Sequence, residues 1–391
     1  MASDRAYDLV LLGATGFTGG LTADYLARHA PAGLRWALAG RDQGKLAAAR
    51  DRLAEIDPAC SELPLLHADV TDNASLDAVA TGSRVVISTV GPFLRYGEPM
   101  VAACSAAGTD YVDITGEQEF VDLMYLRYHD QAVRTGARIV HACGFDSVPH
   151  DLGVHFTVRH LPDDVPLTVD GYVQVAARFS SGTFHSVVTV LSRRGATARV
   201  MRRRRQAEPP PTGRRVRALA GRPGRAAELG GHWVVPLPTL DPQVVRRSAA
   251  ALPAYGPDFR YRHFLTVKRL PTVLAGMVGL AGLAALTRVG PARQWLLRRS
   301  TPGLGPSAQR RARSWFRVRF IGEGGGQRVI TEVSGGDPGY DETAKMVAES
   351  ALCLALDDLP KTAGQVTTAT AMGDALTERL IRAGIRFRVV G

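Results

Sequence analysis

Gly13, Gly16 and Gly19 follow the apolar run Tyr7-Asp8-Leu9-Val10-Leu11-Leu12 at intervals of three, with Ala14, Thr15, Phe17 and Thr18 between them. A strand that enters a glycine-spaced turn and then a helix can hold the diphosphate of a dinucleotide. The first glycine permits the tight turn, the second lets backbone N–H groups approach the ligand, and the third lets the helix pack closely on the strand. Unpaired N–H groups and the helix dipole then favour negative charge at the helix start. The spacing is G-x-x-G-x-x-G, not the commoner G-x-G-x-x-G, and the competing reading is an ordinary turn. The next apolar run, residues 34–40, ends in Arg41, where the adenosine ribose of such a ligand belongs. An acid there would bond the 2′-hydroxyl of NAD, whereas arginine suits the 2′-phosphate of NADP. Lys45, one turn into the following helix, adds to that charge, so NADPH is the expected cofactor. The alternative has Arg41 on a solvated loop. Asp69 and Val70 end the third strand, where adenine is expected, and Val90, Gly91, Pro92 and Phe93 end the fourth, beside the nicotinamide half.

These residues need a scaffold, and the chain alternates β-rich and helical runs up to about residue 142. Strands are expected at 7–12, 34–40, 63–68, 84–90, 110–114 and 138–142, with helices at 43–56, 73–81, 99–107 and 118–135. That rhythm predicts βαβ units and an α/β fold: a Rossmann-type, doubly wound parallel sheet over residues 1–148. A second, smaller α+β domain, the substrate domain, is expected over 149–338. It has a strand at 165–179 and an antiparallel hairpin of 316–321 with 328–333 around the glycine-rich turn 322–326. Residues 339–391 are read as C-terminal helices packing back on the first domain. At 391 residues the chain exceeds a single typical core, which agrees with two domains.

The net charge of +11 is unevenly placed: twelve arginines lie between Arg193 and Arg225, with Glu208 the one acid among them. Such a field attracts anions. The segment 202–211 reads as a basic loop without interleaved aromatics, which argues against nucleic acid and leaves acidic lipid head groups, a phosphopantetheine arm or an acidic carrier protein. The segment 272–287 has sixteen residues without a charge, short of the ~20 apolar residues of a membrane span. It reads as a buried helix; the alternatives are a peripheral contact on anionic membrane, at the inner face of the plasma membrane, and a dimer contact through its small residues. Cys60, Cys104, Cys143 and Cys353 show no C-x-x-C and no close Cys/His cluster, so neither zinc nor a disulfide framework is expected. Residues 1–6 carry no secretory pattern, and a cytoplasmic setting is expected.

The chain resembles the saccharopine dehydrogenase-like oxidoreductases, and within them the bacterial trans-acting enoyl reductases of polyketide lipid synthesis. The stretches that carry the resemblance are Gly13-Ala14-Thr15-Gly16-Phe17-Thr18-Gly19, Val90-Gly91-Pro92-Phe93-Leu94-Arg95-Tyr96-Gly97, Asp110-Tyr111-Val112-Asp113-Ile114-Thr115-Gly116-Glu117, Cys143-Gly144-Phe145-Asp146-Ser147-Val148-Pro149, Gly339-Tyr340-Asp341-Glu342-Thr343-Ala344 and Thr368-Ala369-Thr370-Ala371-Met372-Gly373. One departure is Ser180-Ser181-Gly182-Thr183, where relatives tend to carry Ser-Gly-Gly-Thr. The resemblance implies hydride transfer from NADPH to the β-carbon of an α,β-unsaturated acyl thioester, with a proton delivered to the α-carbon and the substrate borne by a polyketide synthase or carrier protein. The alternatives are an imine-reducing amino-acid dehydrogenase, which would need paired arginines in the cleft, and a non-catalytic membrane-surface protein that keeps the cofactor domain.

Ligands of such folds bind at the carboxyl ends of parallel strands. That selects Tyr96 after the fourth strand, Asp113 and Thr115 after the fifth, and Asp146, Ser147 and His150 after the sixth. Tyr96 and His150 are the candidate proton donors, because either can give a proton and be refilled from water. Asp146 has a second reading, as cap of the helix that starts near Pro149. Cys143 is not needed as a nucleophile, since hydride transfer requires none.

Overall fold

A computed structural model describes residues 5–177, 192–237, 239–268 and 305–391, with Val188, Pro271, Gly279, Gly282, Leu283 and Leu286 as isolated positions. The turn 180–183 and most of the segment 272–287 lie outside the described residues. Among the described residues no helix is long and apolar enough to cross a membrane.

The first six strands are β1 (Tyr7–Leu12), β2 (Trp36–Gly40), β3 (Leu65–His67), β4 (Ser83–Ser88), β5 (Asp110–Asp113) and β6 (Arg138–Val140). All pair in parallel, in the order β6-β5-β4-β1-β2-β3. Their middles carry no polar alternation: Leu9, Val10, Leu11, Val85, Val86 and Ile87 are all fully buried, as a sheet covered by helices on both faces requires. Strand order reverses between β1 and β4, which opens a crevice at their carboxyl ends.

The second sheet contains β7 (Leu167–Ala176), β8 (Arg215–Leu219), β9 (Gly224–Ala226), β10 (His232–Pro236), β11 (Asp258–Val267), β12 (Trp315–Gly324) and β13 (Gln327–Gly335). The expected hairpin is present as β12 and β13, with Gly324 opposite Gln327 and both turn residues, Gly325 and Gly326, at positive φ. Two late strands, β14 (Gly364–Val366) and β15 (Arg386–Val389), divide between the sheets: β14 extends the parallel sheet beside β6, and β15 pairs with β13. The C-terminal region is therefore not helical throughout. Helix Asp341–Leu356 lies against β4, β5 and helix Phe17–His29, so the chain end closes one face of the first sheet.

The basic segment is helical up to Ala207 and a loop only beyond it. Helix Arg194–Ala207 runs through Arg202–Arg205 and stops before Pro209, with Glu208 extended as the residue before a proline tends to be. Arginine is a good helix former, and tertiary pairing holds this helix. Arg204 is 2 % exposed and donates to Asp122 at 3.0 Å, to Glu208 at 2.7 Å and to the Val121 carbonyl at 3.2 Å. Its guanidinium also lies 4.1 Å from the Tyr125 ring centre. Arg193 forks onto Glu119, and Arg217 onto Asp258. Acids distant in sequence thus neutralise part of the field, while Arg199, Arg202, Arg203 and Arg205 stay exposed.

Candidate functional site

β1 runs straight into the glycine turn. Gly13 has φ 97°, which glycine alone adopts without strain. Its N–H donates to the Ala39 carbonyl at 3.1 Å, and the Gly16 N–H returns to the Gly13 carbonyl at 3.0 Å. A Cβ on Gly13 would sit 2.6 Å from Thr89 Oγ1, and one on Gly19 would sit 2.0 Å from the Gly13 carbonyl oxygen. Both glycines are therefore required by the close approach of helix Phe17–His29 to β1 and to the loop after β4. Gly16 differs, since its Cβ would meet only the Gly13 oxygen, at 3.4 Å. Thr15 and Gly16 are exposed, and the helix starts with no side-chain cap and no acid in its first turn. The N–H donors of that turn thus point to an open side, which fits an anionic diphosphate. Thr89, which sequence reasoning missed, donates from Oγ1 to the Leu12 and Gly13 carbonyls, at 3.2 Å each, and ties β4 to the turn. Its place beside Val90 was the available signal.

Arg41 is exposed immediately beyond β2. The Thr71 N–H and hydroxyl, with help from the Arg41 charge, hold Asp69 below the usual carboxylate range, so the ends of β2 and β3 come together here. The exposed Lys45 ammonium lies 3.7 Å from Asp42, whose carboxylate also caps helix Gln43–Ala54 through the Lys45 N–H. Arg41→Ala is expected to weaken NADPH binding by ~1–3 kcal/mol, the worth of charge-assisted hydrogen bonds to a phosphate, and to leave NADH unchanged. Fluorescence titration with both nucleotides checks this. An equal loss for the two would remove Arg41 from the role.

Beyond β4, Val90, Gly91 and Pro92 lead into the short helix Phe93–Tyr96. Its first donors, Phe93 N–H and Leu94 N–H, are taken by the buried Glu117 carboxylate at 2.9 and 3.0 Å. Tyr96 ends this helix, partly exposed, with the Arg95 guanidinium 4.9 Å from its ring centre.

Asp113 and Thr115 are fully buried and bind backbone. Asp113 accepts from the Thr115 and Ala142 N–H groups and lies 2.7 Å from His141 Nδ1, while Thr115 Oγ1 accepts the Glu117 N–H. This chain of bonds braces the loops after β4, β5 and β6. The two residues position the crevice and are not free donors within it. Cys143 is fully buried, with its thiol pushed well up by burial, and it cannot serve as a nucleophile. Asp146 does not cap the next helix: Ser147 is the cap residue of helix Val148–Val158, and it makes no side-chain cap bond.

The late stretches return to this place. Phe17 meets Tyr340 edge-on at 4.9 Å, and Thr343 Oγ1 accepts the Phe145 N–H at 3.1 Å. Buried Asp151 accepts from Thr368 Oγ1 at 2.7 Å and from the Ala369 N–H at 2.8 Å. The stretches 13–19, 143–149 and 339–344 are thereby joined by direct contacts, and 368–373 reaches Asp151 on the helix that follows 143–149.

His150 is 2 % exposed and does not face solvent. It meets Asp241, in the first turn of helix Asp241–Ala251, and its ring lies 5.0 Å from that of His263 on β11. Burial pulls His263 down to about 3. Burial and the Asp241 charge push Asp146 up to about 6, against the pull of His150. Burial would raise Asp241 as well, but the two imidazoles and the Thr239 hydroxyl outweigh it and hold the carboxyl below its usual range.

A family model described as the saccharopine dehydrogenase NADP binding domain matches residues 9–140, so the cofactor is NADP(H). A Mycobacterium tuberculosis protein named a trans-acting enoyl reductase is 38% identical over 418 residues, spanning 98% of this chain and 97% of its own. The trans-acting enoyl reductase of Mycobacterium ulcerans is 37% identical over 98% of both chains. Among solved structures, yeast saccharopine dehydrogenase (L-Glu forming) from Saccharomyces cerevisiae aligns over 98% of this chain and 99% of its own, with a TM-score of 0.57 and 14% identity. That last likeness is one of fold.

Proposed function

The chain belongs to the trans-acting enoyl reductase family and carries a saccharopine dehydrogenase NADP-binding domain at residues 9–140, and from this we propose that it reduces α,β-unsaturated acyl thioesters carried by a separate synthase or carrier protein. The observation that carries the cofactor half of this reading is the open helix start at Gly16, flanked by two glycines whose hydrogens are needed for packing. The relatives' names carry the reaction. Bound NADPH would supply the hydride for the β-carbon. The N–H groups of the first turn, at Phe17, Thr18 and Gly19, would hold the diphosphate, and Arg41 the 2′-phosphate. Asp69 and Val70 would flank the adenine, and residues 90–93 would line the nicotinamide side.

Tyr96 is the better proton donor of the two candidates. It is partly exposed and open to refilling from water, whereas His150 is sealed against Asp241. Tyr96→Phe is expected to lower kcat by roughly tenfold or more with NADPH affinity unchanged, the signature of a group that acts only in the chemical step. Unchanged kcat would return Tyr96 to a structural role. The exposed arginines of helix Arg194–Ala207 supply a positive face suited to an acidic carrier protein.

The reading is tested by NADPH oxidation with a 2-enoyl thioester, free and carrier-bound, and in parallel with an imine substrate. Turnover on the enoyl thioester supports it. Turnover on the imine alone overturns it in favour of an amino-acid-type dehydrogenase.

A further inference from the structure

We propose that His150, Asp241 and His263 form a buried site for a divalent transition-metal ion of the zinc class. They come from three elements, helix Val148–Val158, the start of helix Asp241–Ala251 and β11, and each is at most 4 % exposed. One ligand atom from each lies within 4.8 Å of the others. His150 Nδ1 is 2.9 Å from Asp241 Oδ1, and His263 Nε2 is 3.6 Å from Asp241 Oδ2. Both ring nitrogens of His150, His263 Nε2 and Asp241 Oδ1 are buried without a hydrogen-bond partner. A buried polar atom without a partner costs about 1–3 kcal/mol, and one nitrogen of each histidine with one Asp241 oxygen, a single ligand atom per residue, lie close enough to share one partner. A cation where the lone pairs converge supplies it.

The donor set selects the ion. Two imidazoles and one carboxylate suit zinc, iron(II) or cobalt(II), while calcium and magnesium ask for oxygen ligands. Neighbouring groups orient the ligands as metal sites require. The Tyr261 hydroxyl lies 2.8 Å from His263 Nδ1, which leaves Nε2 free to bind, and the Thr239 hydroxyl donates to Asp241 Oδ2. The three ligands lie far apart along the chain and include no cysteine, so they leave no zinc signature in the sequence. The proposal is independent of the reductase reading, because its readout is metal content and spectrum.

The full-length chain is loaded with zinc, passed through chelator-treated gel filtration and analysed for metal, and cobalt(II) is added to a separate metal-free sample. The expected result is about one retained zinc per chain and ligand-field bands in the visible spectrum of the cobalt form. Metal content should fall at least tenfold in His263→Ala and Asp241→Asn. Tyr261→Phe, which keeps the ring, should weaken affinity by about tenfold or more through loss of the orienting bond. A folded wild-type chain that keeps no zinc and gives no cobalt bands overturns the proposal. So does retention of the same spectrum in the two ligand variants. If those variants fail to fold, the wild-type metal content and the Tyr261→Phe affinity decide it.

Discussion

Gly19→Ala is expected to abolish NADPH binding and lower the melting temperature, whereas Gly16→Ala is expected to spare the fold and weaken NADPH alone. The contrast follows from what a methyl group would meet. At Gly19 it would overlap the Gly13 carbonyl oxygen at 2.0 Å and Thr89 Oγ1 at 2.7 Å, with backbone on the near side that has nowhere to move. Helix Phe17–His29 would have to lift from β1, which displaces the donors of its first turn. At Gly16 the methyl group meets one atom at 3.4 Å and otherwise points toward the exposed side where the diphosphate would lie. Overpacking of this kind costs about 1–3 kcal/mol and more where backbone is involved, so the Gly19 variant should lose a large part of a domain's stability. Differential scanning fluorimetry beside nucleotide titration separates the two effects. A Gly16 variant that binds NADPH like wild type would place the diphosphate elsewhere.

The second large effect concerns stability and pH. Glu208 is partly buried, which alone would raise its pKa, but Arg247, Arg204 and Arg246 outweigh that and bring it down to about 2 from 4.5. Arg246 Nη2 donates to it at 2.6 Å and Arg247 Nε at 2.9 Å. The sign follows from linkage. A carboxylate with a depressed folded-state pKa contributes stability that is present in full above 4.5 and is lost as pH falls through about 2. At ~1.4 kcal/mol per pH unit, the contribution at neutral pH is about 3 kcal/mol. Glu208→Gln should therefore destabilise the chain by about that amount at pH 7, leaving buried Arg204 with Asp122 as its remaining acidic partner. The gap between wild type and variant, read from urea midpoints, should close as pH falls from 5 toward 2. A gap that does not change with pH would show that Glu208 contributes by packing and not by charge.

The parallel strands and their connecting helices were legible because buried β-runs and glycine-bounded helices leave strong local patterns, and 118–135 was placed to the residue. Strand β14 was not legible. Its three residues carry no pattern of their own and become a strand only by pairing with β6. The helical part of 202–211 reads as loop because helix Arg194–Ala207 has no apolar stripe; only Thr197, Val200 and Arg204 are buried on it, and the third is charged. Its anchor is a set of acids from helix Gln118–Thr135 and beyond. At the site, the residue types of Asp113 and Thr115 were informative but their partners were not: a carboxylate spent on two backbone N–H groups reads in sequence like one free for catalysis. His150 shows the same difficulty, since Asp241 and His263 reach it only through the fold.

The measurement that bears most directly on the account is isotope tracing of the hydride. NADPH deuterated at C4, in each stereochemical form separately, is incubated with the full-length chain and a carrier-bound 2-enoyl thioester, and the product is analysed by mass spectrometry and NMR. The expected product is a saturated thioester with deuterium at the β-carbon from one of the two forms, and a solvent proton at the α-carbon. Deuterium found only in the amine formed from an imine substrate, with the enoyl thioester untouched, would contradict it.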